Sequence, residues 1–305
     1  MTGRKVRLIA ILCAVALAGL LWLGYALRPA SEAPGRTDPS GIRRVVSFSP
    51  ALTEIIFALG QEGKLVGVSS FCTYPPAANE LPVCGGLIDP NLELLAELNP
   101  DVVFLQGISP TLLDWCEKTG QGHEPVKLDT LDDIWTTTRR IGEVLGCPEE
   151  AEALAARIQG ELNDVRARVA GRAPVPVFIC LGREPGKIRG LMTAGRASFL
   201  TDLIAMAGGQ NVFSDAAMLY PQPSLEALVE RAPQVILDLQ PEWTGSERAE
   251  ADLVAQWSVL DTVPAVRNGR IEVLTDDYLL IPGPRVGALA RRIATVLHPE
   301  AFGGE

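Results

Sequence analysis

Histidine is almost missing from this chain: among 305 residues there are two, His123 and His298. A His-rich metal site is therefore out of reach, and a His-based catalytic dyad has little to draw on. His298 stands before Pro299 at the end of an apolar-periodic stretch, where stabilising a helix C-terminus accounts for it. Also missing are a G-x-S-x-G elbow, a phosphate-binding G-x-x-x-x-G-K-S/T, a G-x-G-x-x-G after a strand, and an H-E-x-x-H pair. Basic residues are in deficit, 27 against 37 acidic, and the net charge of −10 argues against a nucleic-acid binder. Beyond Cys13 there are five cysteines, an odd set that cannot pair fully within the chain: Cys72, Cys84, Cys116, Cys147 and Cys180. Most are expected as small buried thiols, with Cys72 and Cys84, which flank one Pro-rich loop, the best-placed pair for a bridge.

Apolar residues make up 47% of the chain, enough for two modest cores. Leu8 to Leu27 is an uncharged run of 20 residues, long enough to cross a bilayer, preceded by Arg4, Lys5 and Arg7. The positive-inside rule keeps the N-terminus cytoplasmic and sends the body outside. Residues 1–27 thus read as an anchor, with a cleaved signal as the alternative. Residues 28–41, rich in Pro, Gly and Ser, read as a flexible tether.

From Pro148 to Gly171 the pattern is that of one long helix. Pro148 suits its first turn, and Glu149, Glu150 and Glu152 suit its positive end. Ala151, Leu154, Ala155, Ile158, Leu162, Val165 and Val169 form a buried stripe, and Gly171 ends it. Such a helix would be about 35 Å long.

The two flanks of this helix echo each other. Pro90-Asn-Leu-Glu-Leu-Leu-Ala-Glu-Leu-Asn-Pro-Asp-Val-Val-Phe-Leu105 matches Pro223-Ser-Leu-Glu-Ala-Leu-Val-Glu-Arg-Ala-Pro-Gln-Val-Ile-Leu-Asp238 at seven of sixteen positions. Leu52-Thr-Glu-Ile-Ile-Phe-Ala-Leu-Gly60 likewise answers Leu200-Thr-Asp-Leu-Ile-Ala-Met-Ala-Gly208. Strand and helix patterns alternate on both sides. The expected fold is α/β: similar lobes at 42–147 and 172–305, joined by a helix at 148–171 and preceded by a transmembrane segment. Short strands are expected at Arg43–Phe48, Lys64–Ser69, Val102–Leu105, Val126–Leu128, Val175–Leu181, Val235–Leu239 and Ile271–Thr275.

Glu93 and Glu226 occupy identical places in the repeat, each two residues after a capping Asn91 or Ser224. Singly, a carboxylate in a first helical turn needs only the helix dipole to explain it. As a matched pair, they also present two negative points to a partner with two basic sockets related by a twofold axis. Tyr220, Phe71, Tyr74 and Trp243 fall in irregular segments, where aromatics stack on a flat ligand or pack on their own lobe. Trp115, Trp135 and Trp257 lie in helical patterns and read as core.

Several ordered motifs carry a resemblance. Val45–Gly60, the Phe71-Cys-Thr-Tyr-Pro-Pro76 loop, Gly85-Gly86, Pro90-Asn-Leu-Glu93, Pro100-Asp-Val-Val103, Pro223-Ser-Leu-Glu226 and Pro282-Gly-Pro-Arg285 together resemble the helical-backbone (class III) substrate-binding proteins of ABC importers. These serve vitamin B12, ferric siderophore and haem uptake. The similarity spans about residues 42 to 299. It implies two lobes on one helix with ligand between them, no enzymatic activity, and a monomer that docks on a permease dimer with its ATPase. It also implies that Glu93 and Glu226 meet permease arginines. The branch it looks most like is the vitamin B12-binding one. Tyr220 then falls where a tryptophan faces the corrin, and Asp277 at a polar ligand-side position. Leu87 and Gln106 stand where that branch has two further tryptophans. The implied ligand is cobalamin or another corrinoid, with a ferric siderophore or haem as the alternative. No metal-ligating or cofactor residues are implied. An anionic chelate would want basic residues, and Arg183, Lys187, Arg189 and Arg196 lie in the right lobe, where ordinary solvated charge is the plainer reading. From outside this class, a membrane-anchored enzyme with an interlobe cleft and a sensory binding domain remain as readings.

Overall fold

The structure, a computed structural model, describes residues 40–241 and 247–303. The apolar run Leu8–Leu27, the tether and Trp243 lie outside the described residues. Among those described, no helix is long and apolar enough to cross a membrane.

Two four-stranded parallel sheets form the two lobes. The first contains β1 (Val45–Ser47), β2 (Leu65–Val68), β3 (Val102–Gln106) and β4 (Gly122–Val126) in the order β2-β1-β3-β4. The second contains β5 (Val175–Cys180), β6 (Gly209–Asn211), β7 (Val235–Leu239) and β8 (Ile271–Leu274) in the order β6-β5-β7-β8. The orders are the same, strand for strand, so the repeat read from sequence extends to topology. Central strands such as Val102-Val-Phe-Leu105 and Val235-Ile-Leu-Asp-Leu239 are buried along their length, as parallel strands covered on both faces must be.

Helices fill the connections: α1 (Pro50–Ala58), α2 (Leu92–Leu98), α3 (Pro110–Thr119) and α4 (Leu131–Leu145) in the first lobe, then the spine α5 (Pro148–Arg168). The second lobe has α6 (Phe199–Met206), α7 (Leu225–Arg231), α8 (Glu247–Gln256), α9 (Pro264–Arg267) and α10 (Val286–Leu297). Local signals set their starts. Asn91 accepts from the Leu94 N–H at 3.0 Å and Ser224 from the Ala227 N–H at 3.2 Å. Thr130 and Asp133 cap α4 reciprocally.

All seven residues of the spine's apolar stripe are buried. All but Ala155 belong to one core that runs through both lobes and draws in α1, α4, α6 and α10. Close approach of α4 to the spine depends on Gly142, where a Cβ would come within 2.3 Å of the Ala151 methyl. The buried His298 receives α10 at its C-terminal end, and its Nε2 lies 3.0 Å from the Gly208 carbonyl. Trp135 and Trp257 are buried, and Trp115 is half-buried.

Three expectations need correction. The strand expected at Val126–Leu128 runs instead over Gly122–Val126, and the short strand Gly209–Asn211 had no counterpart in the reading. Both are sheet edges without a β-branched run; an edge strand can also hold a proline, here Pro125, because only one side needs a ladder. The Cys72–Cys84 bridge does not form. All five described cysteines are buried thiols outside any disulfide, and the Cys72 Sγ packs 3.2 Å from Thr53 Oγ1 and 3.1 Å from Ser69 Oγ. Burial pushes the Cys84 thiol up to about 11, so it is inert at neutral pH.

Candidate functional site

The C-terminal ends of the first sheet's strands open into a pocket of about 970 Å³. This is where parallel α/β sheets place ligands, because the loops there leave the sheet in divergent directions. Each strand contributes: Phe48 and Ser49 after β1, Ser69 and Phe71 after β2, Gln106 at the end of β3 and Ile108 beyond it, and Lys127 to Asp129 after β4. A further loop brings Gly86, Leu87, Ile88 and Asp89. Its turn requires Gly85, at φ +81, since a Cβ there would meet the Asp89 carbonyl at 2.4 Å. The Ser109 hydroxyl then pins the loop by donating to the Leu87 carbonyl at 2.6 Å.

The pocket walls are apolar. Phe71, Ile88 and Ile108 are 67%, 95% and 81% exposed, a concentration of apolar surface that marks a place suited to an apolar ligand. Its polar floor is already engaged: the Ser49 hydroxyl donates to the Gln106 side-chain oxygen at 2.6 Å. Such a site takes a large, mostly apolar ligand and orients it with few polar contacts.

The residues singled out from sequence fall into three places. Phe71, Leu87 and Gln106 line the pocket together. Tyr220 lies on the other lobe; burial pushes its phenol up, with the charge of pocket-lining Asp129 adding to the shift and the Ser198 side chain opposing it. Tyr74 and Asp277 instead meet at Arg285, whose guanidinium carbon lies 3.8 Å from the Tyr74 ring centroid and whose Nη1 lies 2.5 Å from Asp277 Oδ1. The sequence reading passed over Ile88 and Ile108, which carry no motif, and over the partnership of Glu54 with Arg285, which joins residues 231 positions apart.

Glu93 and Glu226 stand exposed at the starts of α2 and α7. Hydrogen bonds from its own backbone N–H and the Ser224 side chain hold the Glu226 carboxyl below its ordinary range. One turn further along, Glu97 and Glu230 repeat the pairing and are exposed as well. Of the four basic residues, Arg183 is neither solvated nor free. Its side chain is 3% exposed and bonded to the buried Asp238 at 3.0 Å, which also accepts from Trp257 Nε1 at 3.0 Å. Lys187 and Arg189 share Glu184, while Arg196 is exposed.

With this geometry in place, comparison with known proteins is decisive for the family. The model of the family described as periplasmic binding protein matches residues 45–278. The chain belongs to the periplasmic binding protein family. Its relatives include the vitamin B12-binding protein of Pectobacterium atrosepticum, 30% identical over 84% of this chain and 88% of that one. The vitamin B12-binding protein of Vibrio cholerae is 28% identical over 85% and 90%. Among solved structures, the periplasmic vitamin B12-binding protein BtuF of Vibrio cholerae superposes with a TM-score of 0.70 at 28% identity, covering 86% of this chain and 98% of its own. The periplasmic haem-binding protein HutB of the same organism superposes with a TM-score of 0.73 at 27% identity, covering 84% and 99%.

Proposed function

We propose that this periplasmic binding protein captures a corrinoid of the vitamin B12 type between its two lobes and delivers it to an ABC importer. The observation that carries the reading is the pocket of about 970 Å³ with apolar walls at the strand ends of the first lobe; Tyr220 of the second lobe, which feels the charge of pocket-lining Asp129, is the aromatic we place against the ligand. A corrin presents a broad apolar face to such walls, and relatives named for vitamin B12 binding align over most of the chain. Glu93 and Glu226 then serve as matched contacts for permease arginines, with Glu97 and Glu230 extending each acidic patch by a turn. The Leu8–Leu27 segment would hold the protein at the outer face of the membrane.

Haem is the second reading, favoured by the superposition on haem-binding neighbours and by pocket walls that are aliphatic more than aromatic. An anionic ferric chelate has less support, since Arg183 is committed to Asp238. Isothermal titration with cyanocobalamin and with haemin separates these readings. Saturable cyanocobalamin binding is expected, weakened by about 1–3 kcal/mol in Tyr220→Ala, the range for loss of a stacked aromatic. Micromolar or tighter haemin binding with no cyanocobalamin signal would transfer the assignment.

A further inference from the structure

The internal repeat sets Leu52-Thr-Glu54 of α1 against Leu200-Thr-Asp202 of α6. Both carboxylates cross to the opposite lobe, and each arrives at an equivalent place. Glu54 meets Arg285, the residue before α10; Asp202 accepts from the N–H of Leu131, the first residue of α4. Helices α4 and α10 are themselves counterparts. Each follows the last strand of its own sheet, and each packs on the spine. The lobes are therefore tied twice, at points related by the same approximate twofold that relates the sheets.

The two ties differ in chemistry. Arg285 grips Glu54 with two hydrogen bonds, Nε to Oε2 at 2.9 Å and Nη2 to Oε1 at 2.6 Å. Its third prong holds Asp277 at 2.5 Å, and its face covers Tyr74 of the first lobe. The Glu54 side chain is 2% exposed, and Gly283 lies against Ala51, so this tie is shielded from water. A forked, charged and desolvated pair of this kind resists parting, because separation strands a buried charge. Asp202, half-buried, accepts one backbone N–H at 3.3 Å, and beside it the Phe199 N–H donates to the Asp129 carbonyl at 2.5 Å. These contacts join no pair of opposite charges, so parting them strands backbone groups and no unpaired buried arginine–carboxylate charge. A continuous spine helix leaves little room for hinge bending, so the motion still open to the lobes is a small rotation about one tie.

We infer that Arg285 and Asp202 are positioning residues of the cleft: the Glu54–Arg285 tie is the pivot on which the lobes turn, and the Asp202–Leu131 tie is the side that yields. The yielding side carries Asp129, part of the pocket wall, and Tyr220 stands close enough to feel its charge. Ligand would enter and leave there. The inference concerns the ligand-free protein and stands whether the cargo is a corrinoid or haem.

Hydrogen exchange read by mass spectrometry on the full chain without ligand tests it. Asp202→Ala is expected to speed exchange in residues 129–133 about tenfold, leaving residues 281–287 and strands β1, β3, β5 and β7 unchanged. Glu54→Gln is expected to speed both segments while those strands stay protected. Arg285→Lys, which keeps the charge without the fork, should give the same pattern more weakly, and it carries the comparison if Glu54→Gln fails to fold. Equal loosening of both segments by Asp202→Ala, or an effect of Glu54→Gln and Arg285→Lys confined to 281–287, overturns the inference. Acceleration in the strands would make the ties plain stability elements and overturn it equally.

Discussion

Asn99 and Ala232 hold corresponding positions, each closing its helix just before a proline, and each is left-handed, at φ 42 and φ 45. The turn from helix into strand demands this conformation at both places. Asparagine adopts it readily, whereas alanine pays for its Cβ, by about 1 kcal/mol. Ala232→Gly is therefore expected to stabilise the protein by about 0.5–1 kcal/mol, and Asn99→Gly by less. Thermal melts of the two variants check the order. The stop at Pro100 was legible in the sequence, but the left-handed residue before it was not, and Ala232 had only its place in the repeat to announce it. The pocket shows the same divide. Phe71 could be marked as a loop aromatic, but Ile88 and Ile108 look in sequence like any core isoleucine. Only their exposure of 95% and 81% at the pocket wall sets them apart.

The start of β1 is held by the neighbouring strand's connection. Asp101 accepts the Arg43 N–H at 2.7 Å and the Arg44 N–H at 2.8 Å. Those bonds, with the charges of both arginines assisting, hold its carboxyl below the ordinary value of 3.8. A carboxyl depressed on folding adds stability above its unfolded value, and that stability drains away as pH falls through the folded value. Asp101→Ala should therefore melt below the unaltered protein at neutral pH, with the gap closing below about pH 4. Melting curves across that range decide it, and a constant gap would deny the charge any part. Strand starts such as this were readable from β-branched runs. The edge strands Gly122–Val126 and Gly209–Asn211 were not, because a strand with one neighbour needs no apolar run to keep its place.

At the scale of the whole molecule, the long helix and the repeat were plain in the sequence, because periodicity and near-identity are local properties of the chain. The cross-lobe contacts were not, because the two halves of each tie lie far apart in sequence. The docking role of Glu93 and Glu226 belongs to this scale too. Replacing both with alanine should leave ligand affinity and melting temperature nearly unchanged while sharply reducing uptake, since losing one partner of a desolvated charge pair costs about 2–5 kcal/mol. Single variants should fall between, and adding Glu97→Ala with Glu230→Ala should deepen the loss. Transport assays in cells supplied only with the variant read this out, and normal uptake by the double variant would return both residues to helix capping.

The matched strand order of the two sheets has one more consequence. A molecule whose halves carry like helices at like places presents nearly the same face after half a turn. A twofold partner would accept it either way round, so arrivals need not be sorted by heading. The pocket breaks that equivalence, because its walls belong to the first lobe alone. Cargo would thus reach the axis of a twofold partner from one side in one arrival and from the other in the next, two placements that the partner's own symmetry makes equivalent.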